Sequence, residues 1–173
     1  METVEPDRET IQVGGMSRLE LLGALSRAGV ALNGHADTLL EDHAFEDGPV
    51  LTLSVVLRTV GDLGLVEGGT LAEVLKAAAA VGLEPCPLTT APYLRLATLD
   101  QAEAPDSILS AGRPPSGAVH VASVPVSADV EHPKGFYLRV VDGRPWLRGF
   151  RCHDDYVWSP EQVVALVRPQ RRP

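Results

Sequence analysis

The chain is poor in the residues that would announce a function. Its 173 residues include two cysteines, Cys86 and Cys152, which are far apart and match no metal or redox spacing. Two free thiols, as in a reducing cytosol, are the expectation. Aromatics make up only 5% of the chain, and Asn33 is the single asparagine. Arginine greatly outnumbers lysine, a bias that fits a GC-rich bacterial genome. No apolar run approaches the ~18 residues that span a bilayer. Residues 1–7 are acidic and lack the basic start and apolar centre of a signal peptide, so the chain is read as cytoplasmic. A P-loop, a G-x-G-x-x-G turn and a G-x-S-x-G elbow are all missing, which removes the commonest nucleotide and hydrolase signatures. Positive charge is also short. The formal net charge of −8 argues against duplex nucleic acid as a main partner, because neutralising phosphates needs a basic footprint.

What is present is an ordinary globular composition, 45% hydrophobic and 22% charged, in a length that suits one buried core. The expected organisation is a flexible acidic tail over 1–15, one domain over 16–168 and a basic tail over 169–173. A capping box at Ser17 and Glu20 opens a first helix with Leu19, Leu22 and Leu25 as its apolar stripe and Leu21 and Ala28 beside it, closed by Gly29. A second helix is expected over 36–45, joined to the first by a short link. Residues 50–60 are so rich in β-branched side chains that a buried strand is preferred over a helix. Thr70 and Glu73 form another capping box, for a helix over 71–81, with Gly82 just past its end. One helical turn at 89–93 and a short strand at 93–97 follow, then a long loop over 100–117 that is either a lid or disordered. Strands are read at 118–126 and 163–167, the latter after a turn begun by Ser159 and Pro160.

The strongest signal lies in 135–152. Asp142 and Gly143 sit between two alternating runs, the favoured pair for a two-residue type I′ hairpin turn. That turn predicts the register: Val141 opposite Arg144, Val140 opposite Pro145, Arg139 opposite Trp146, Leu138 opposite Leu147, Tyr137 opposite Arg148 and Phe136 opposite Gly149. The pleat then sorts the side chains onto two faces. Phe136, Leu138, Val140, Pro145, Leu147 and Gly149 make an apolar face, expected to pack on the 71–81 helix. Tyr137, Arg139, Val141, Arg144, Trp146, Arg148 and Phe150 make an aromatic and basic one, with Arg139 over Trp146 as a candidate cation–π pair. The predicted fold is α+β, a helical N-terminal half on a mostly antiparallel sheet built mainly from the C-terminal half.

Residues 82–87, Leu94-Arg95-Leu96, Asp100-Gln101, residues 135–139 and residues 146–150 together resemble a family of uncharacterised bacterial proteins over most of the chain from about Leu53 onwards. The resemblance implies a single bacterial domain and assigns no catalytic residue, cofactor or partner.

Functional residues are sought first on the second hairpin face. Tyr137, Arg139, Trp146, Arg148 and Phe150 are of the types that dominate binding hot spots, and the expectation is a non-enzymatic module that binds a protein or peptide. Stacking of single-stranded nucleic acid on the same face is an alternative. A small hydrolase or metal-dependent enzyme is another, using His153, Asp154 and Asp155, with His132, as metal candidates, or Ser123, His120 and Asp154 as a catalytic trio. No cofactor is called for. The turn reading carries its own test. Gly143→Val is expected to destabilise by more than ~1 kcal/mol, because a β-branched residue fits φ > 0 poorly; an unchanged melting temperature would mean that no such turn exists.

Overall fold

The computed structural model describes residues 8–46, 48–101 and 117–169, with the side chain of Arg8 excluded. Within them the architecture is α+β. The elements run β1 (Arg8–Val13), α1 (Arg18–Arg27), β2 (Ala31–Leu32), α2 (Gly34–Leu40), β3 (Leu51–Thr59), α3 (Leu71–Ala80), α4 (Thr90–Ala97), β4 (Val119–Val121), β5 (Gly135–Val141), β6 (Arg144–Phe150) and β7 (Val163–Val167). The described strands form one sheet in the order β1-β3-β7-β4-β5-β6-β2. It is mixed: β4 pairs parallel to β7 and β2 parallel to β6, while the other neighbours are antiparallel.

Local chemistry accounts for the helix ends. Ser17 Oγ accepts from Glu20 N at 3.2 Å, and Thr70 with Glu73 makes the full reciprocal box. Both helices close in the same way. Gly29 and Gly82 adopt φ of 75° and 78°, and the N–H groups of Val30 and Leu83 reach back to Leu25 O and Ala78 O. Pro92 falls in the first turn of α4, where its missing N–H leaves no intrahelical bond unmade. Arg18 ties α1 to the end of α2, donating to the carbonyls of Leu40, Glu41 and Asp42 at 2.8–2.9 Å.

Each face of the sheet carries its own core. On one, Phe136, Leu138, Leu147, Val121, Ala165 and Val55 meet Leu21 and Leu25 of α1, Leu39 and Leu40 of α2, and Ala91 and Leu94 of α4. On the other, Val56, Val164, Leu166 and Trp158 meet Val74 and Ala78 of α3. The apolar hairpin face therefore packs on α1, α2 and α4, and the expected partner, the 71–81 helix, lies across the sheet. The hairpin register itself matches the sequence reading pair for pair.

Several expectations are corrected. Residues 8–13 are not tail: Ile11 and Val13 alternate inward and β1 pairs with β3 along its whole length. The N-terminal half thus supplies three of the seven described strands, and the C-terminal half the other four. The 30–35 link holds β2, which reaches Trp146 and Leu147. The second helix ends at Leu40, and 43–45 form a separate short 3-10 turn. Residues 93–97 are helical, not a strand: they continue a helix from Thr90 that packs against the sheet, with Ala91, Leu94 and Arg95 at i, i+3 and i+4 all buried. Leu19 is 81% exposed, and Leu21 and Leu25 are the buried line of α1. The 50–60 strand and the 163–167 strand are as read. Most of the 100–117 loop, and the tail beyond 169, lie outside the described residues.

One glycine is demanded by close approach. A Cβ on Gly149 would stand 2.6 Å from the carbonyl carbon of His35 and 2.8 Å from Ala36 N, both backbone atoms at the start of α2. Gly149→Ala is expected to destabilise by about 1–3 kcal/mol through overpacking. Chemical denaturation reads the change, and a cost near zero would show that α2 is free to move off β6.

Candidate functional site

On the second hairpin face Arg139 is buried, Arg144 is exposed, and Tyr137, Trp146, Arg148 and Phe150 are half-buried. At one end Tyr137 and Phe150 join residues distant in sequence. His120 of β4 lies directly opposite Tyr137 and stacks on its ring at 5.0 Å with an interplanar angle of 13°. The edges of Phe150 and Trp158 close on the same imidazole at 5.2 and 5.1 Å, and Phe150 meets Trp158 at 5.6 Å. Trp158 is 1% exposed. Phe150 and Tyr137 thus serve a packed aromatic cluster whose rings meet edge to face or stacked. Burial pushes the His120 pKa down to about 3, so the imidazole is neutral at physiological pH.

In the middle of the hairpin Arg139 is fully buried and contributes nothing to an accessible surface. Its cross-strand neighbour is Trp146, as read, yet the cation over the indole is a different one. Arg148 sits 4.1 Å from the ring centroid and Arg144 5.9 Å, both from the same strand as Trp146. Alternate residues of a strand share a face, so Arg144, Trp146 and Arg148 form a ledge along β6. Arg144 is exposed and the other two are half-buried. Among the described residues neither Arg144 nor Arg148 makes a hydrogen bond or an ion pair. The Arg148 Nε is buried without a partner.

The ledge is braced from the other core by a residue that sequence reasoning assigned to a strand. Arg95 of α4 is fully buried and donates from Nη1 to Arg139 O and Trp146 O, each at 3.2 Å, and to Gln101 Oε1 at 2.8 Å; Nη2 donates to Thr98 O at 2.7 Å. Burial lowers its pKa to about 10, opposed by Asp100, which leaves it charged at neutral pH. Gln101 Nε2 donates to Leu138 O at 3.0 Å and Gly117 O at 2.6 Å. One polar network therefore joins α4, the hairpin backbone and the start of the chain leading into β4. The sequence signal for it is Ala91 four residues before Arg95, the spacing that puts both on one buried face once 90–97 is a helix.

The catalytic alternatives are not assembled. His153, Asp154 and Asp155 are all exposed, and among the described residues no group of three His, Cys, Asp or Glu side chains is placed to hold a metal. No hydrogen bond among the described residues joins Ser123, His120 and Asp154; His120 is enclosed by rings and Asp154 faces solvent. His153 does line a cleft of about 400 Å³ with His35, Val130, Glu131, Arg151 and Cys152. Arg151 pairs with Glu131 there, and burial raises the Cys152 pKa, so its sulfur is a thiol rather than a primed thiolate. Lys134 is buried and donates to Ser127 O and Asp129 O at 2.9 and 3.1 Å, which spends its charge on fixing the neighbouring loop.

No family model matches the chain, and no curated protein or solved structure matches it. Among the described residues no helix is long and apolar enough to cross a membrane.

The neutral His120 gives a pH dependence whose sign is set. Unfolded, the imidazole binds a proton below its ordinary value of 6.5; folded, it does so only near 3. Acid therefore favours the unfolded chain, and stability is expected to fall between pH 6.5 and 5 by up to about 1.4 kcal/mol per pH unit. Denaturant midpoints for the wild type and His120→Phe over this window check it. A wild-type slope equal to that of the variant would show that His120 titrates normally.

Proposed function

We propose that this chain is a non-enzymatic binding module whose ledge, Arg144, Trp146 and Arg148, takes an acidic peptide segment of a protein partner. The observation that carries the reading is the pair of arginines bracketing one tryptophan with, among the described residues, no carboxylate paired to either. In a chain of net charge −8, acidic groups are abundant, and two arginines that no described carboxylate pairs with are placed for carboxylates from outside. The ledge is rigid. Its backbone is held by β5 on one side, β2 on the other, and the Arg95 guanidinium at Trp146 O. Tyr137 and Phe150 support this surface from the aromatic cluster, and Arg139 from within the fold, without meeting the ligand.

Carboxylates are favoured over stacked bases for a steric reason. A nucleobase needs an open aromatic face, and Arg148 already occupies the Trp146 ring at 4.1 Å. Successive ledge side chains are spaced about 6.8 Å apart, which matches acidic residues at alternate positions of an extended peptide. We place the module in the cytoplasm, a reading supported by the free thiols of Cys86 and Cys152.

Tryptophan emission tests the proposal, with Trp146→Phe assigning the signal against the buried Trp158. A peptide with glutamates at alternate positions is expected to shift Trp146 emission at low salt and to lose most of that effect at high salt. Arg148→Ala and Arg144→Ala should each weaken binding about tenfold, the size of one charge-assisted hydrogen bond. No response to the peptide at low salt sinks the reading. Quenching by a single-stranded oligonucleotide in its place would reassign the ledge to nucleic acid.

A further inference from the structure

The remaining unexplained feature lies on the far side of β6 from β5, at the chain's only asparagine. Asn33 serves two elements with one amide. Its Oδ1 accepts from Ala36 N at 2.9 Å, capping α2, and from Gly149 N at 2.8 Å. Its Nδ2 donates to Gly149 O at 3.0 Å. The side chain thus extends the parallel pairing of Ala31 with Trp146 and Leu32 with Leu147 by one further step. It latches α2 and β2 to the hairpin.

The residue after it is a glycine that the fold does not require. Gly34 has no positive φ, and a Cβ there would meet nothing within 4 Å. At the first position of a helix glycine is a poor choice on conformational grounds, costing roughly 0.5–1 kcal/mol against alanine in a helix. What glycine supplies here is chemical. Without a side chain it leaves its backbone nitrogen unhindered beside the Asn33 amide, the most labile of side-chain amides. Gly34 is exposed and Asn33 half-buried, so water and hydroxide reach both.

We propose that the Asn33-Gly34 step is a self-modification site, held unreactive by the latch and spent irreversibly once the latch opens. The reaction balances without any outside reagent but water. The Gly34 N–H gives its proton to hydroxide and the nitrogen attacks Asn33 Cγ; the Cγ–Nδ2 bond breaks as Nδ2 takes a proton from water, leaving as ammonia and returning the hydroxide. The cyclic imide then adds water. Breaking its bond between Cγ and nitrogen yields aspartate, and breaking its bond between the backbone carbonyl carbon and nitrogen yields isoaspartate. The net change is amide plus water to carboxylate plus ammonium, with no oxidation or reduction.

Closed, the three hydrogen bonds fix the amide plane and keep Cγ from turning towards the Gly34 nitrogen. Opened, nothing holds it. The product cannot reclose. A carboxylate has no proton to donate to Gly149 O, so two oxygens face each other across the former bond. Isoaspartate also lengthens the main chain by one carbon and spoils the cap of α2. The modified chain is therefore one in which β2 and the start of α2 have parted from β6, beside Trp146 and Leu147.

The test uses the full-length chain in mildly alkaline buffer, native and in urea, with peptide mass mapping of the segment that holds Asn33. Aspartate and isoaspartate are expected at Asn33 in urea and on the order of a hundredfold more slowly in the native protein, since reaction waits on local opening. Gly34→Ala, which has room for its methyl group, should keep the native melting temperature and cut the rate in urea at least ~tenfold. In Asn33→Asp, and in the isolated reacted protein, the Gly149 amide should exchange its hydrogen at least ~tenfold faster than in the unreacted chain. Equal rates in native buffer and urea, no slowing by Gly34→Ala, or unchanged Gly149 exchange after reaction would each overturn the proposal.

Discussion

The register of the β5–β6 hairpin is the constraint on which both cores depend. Its pleat sends Phe136, Leu138 and Leu147 to the side of α1, α2 and α4, and Tyr137, Trp146 and Phe150 to the other side. A slip of one residue would exchange the two sets and place Arg139 and Arg148 where three helices now close on leucines. The turn prevents it, with Asp142 at φ 51° and Gly143 at φ 76°, as a type I′ turn requires. Asn33 adds a second lock from the other edge of β6, and the empty space at Gly149 lets α2 come close enough to make it.

From that constraint the polar side chains acquire distinct duties. Arg95 and Lys134 are buried and spend their charge on backbone carbonyls, bracing the hairpin and the 127–129 loop. His120 is buried among rings and neutral, and so is no acid or base at physiological pH. Arg144 and Arg148 are the arginines of the hairpin that remain directed to a surface, over Trp146. This division is what separates a recognition reading from a catalytic one. Among the described residues His120 is enclosed by rings, His153, Asp154 and Asp155 lie exposed, and burial raises the pKa of both cysteines.

Parts of the candidate site were legible from residue order alone because they are local. Trp146 and Arg148 share a face by strand periodicity, and the turn residues place them on it. The cation over the indole differs from the one expected because cross-strand adjacency does not imply contact. Arg139 does stand opposite Trp146, yet it is buried, and the same-strand arginines are the ones free to fold over the ring. Phe150 and Tyr137 are half-buried on the same face as Trp146, and the rings that meet them, His120 and Trp158, come from strands and loops with no sequence mark of their proximity.

Taken by itself, the sequence determined the features that depend on short-range chemistry: the hairpin and its register, the caps at Ser17 and Thr70, the glycine closures at Gly29 and Gly82, and the strands at 51–59 and 163–167. Turn geometry and capping act within a few residues, so local order suffices for them. Only the tertiary structure decided which helix covers which face, that 8–13 is a strand, and that 93–97 is helical. An alternating or apolar run is compatible with more than one partner, and the choice is made by burial against segments a hundred or more residues away, as Asn33 is against Gly149.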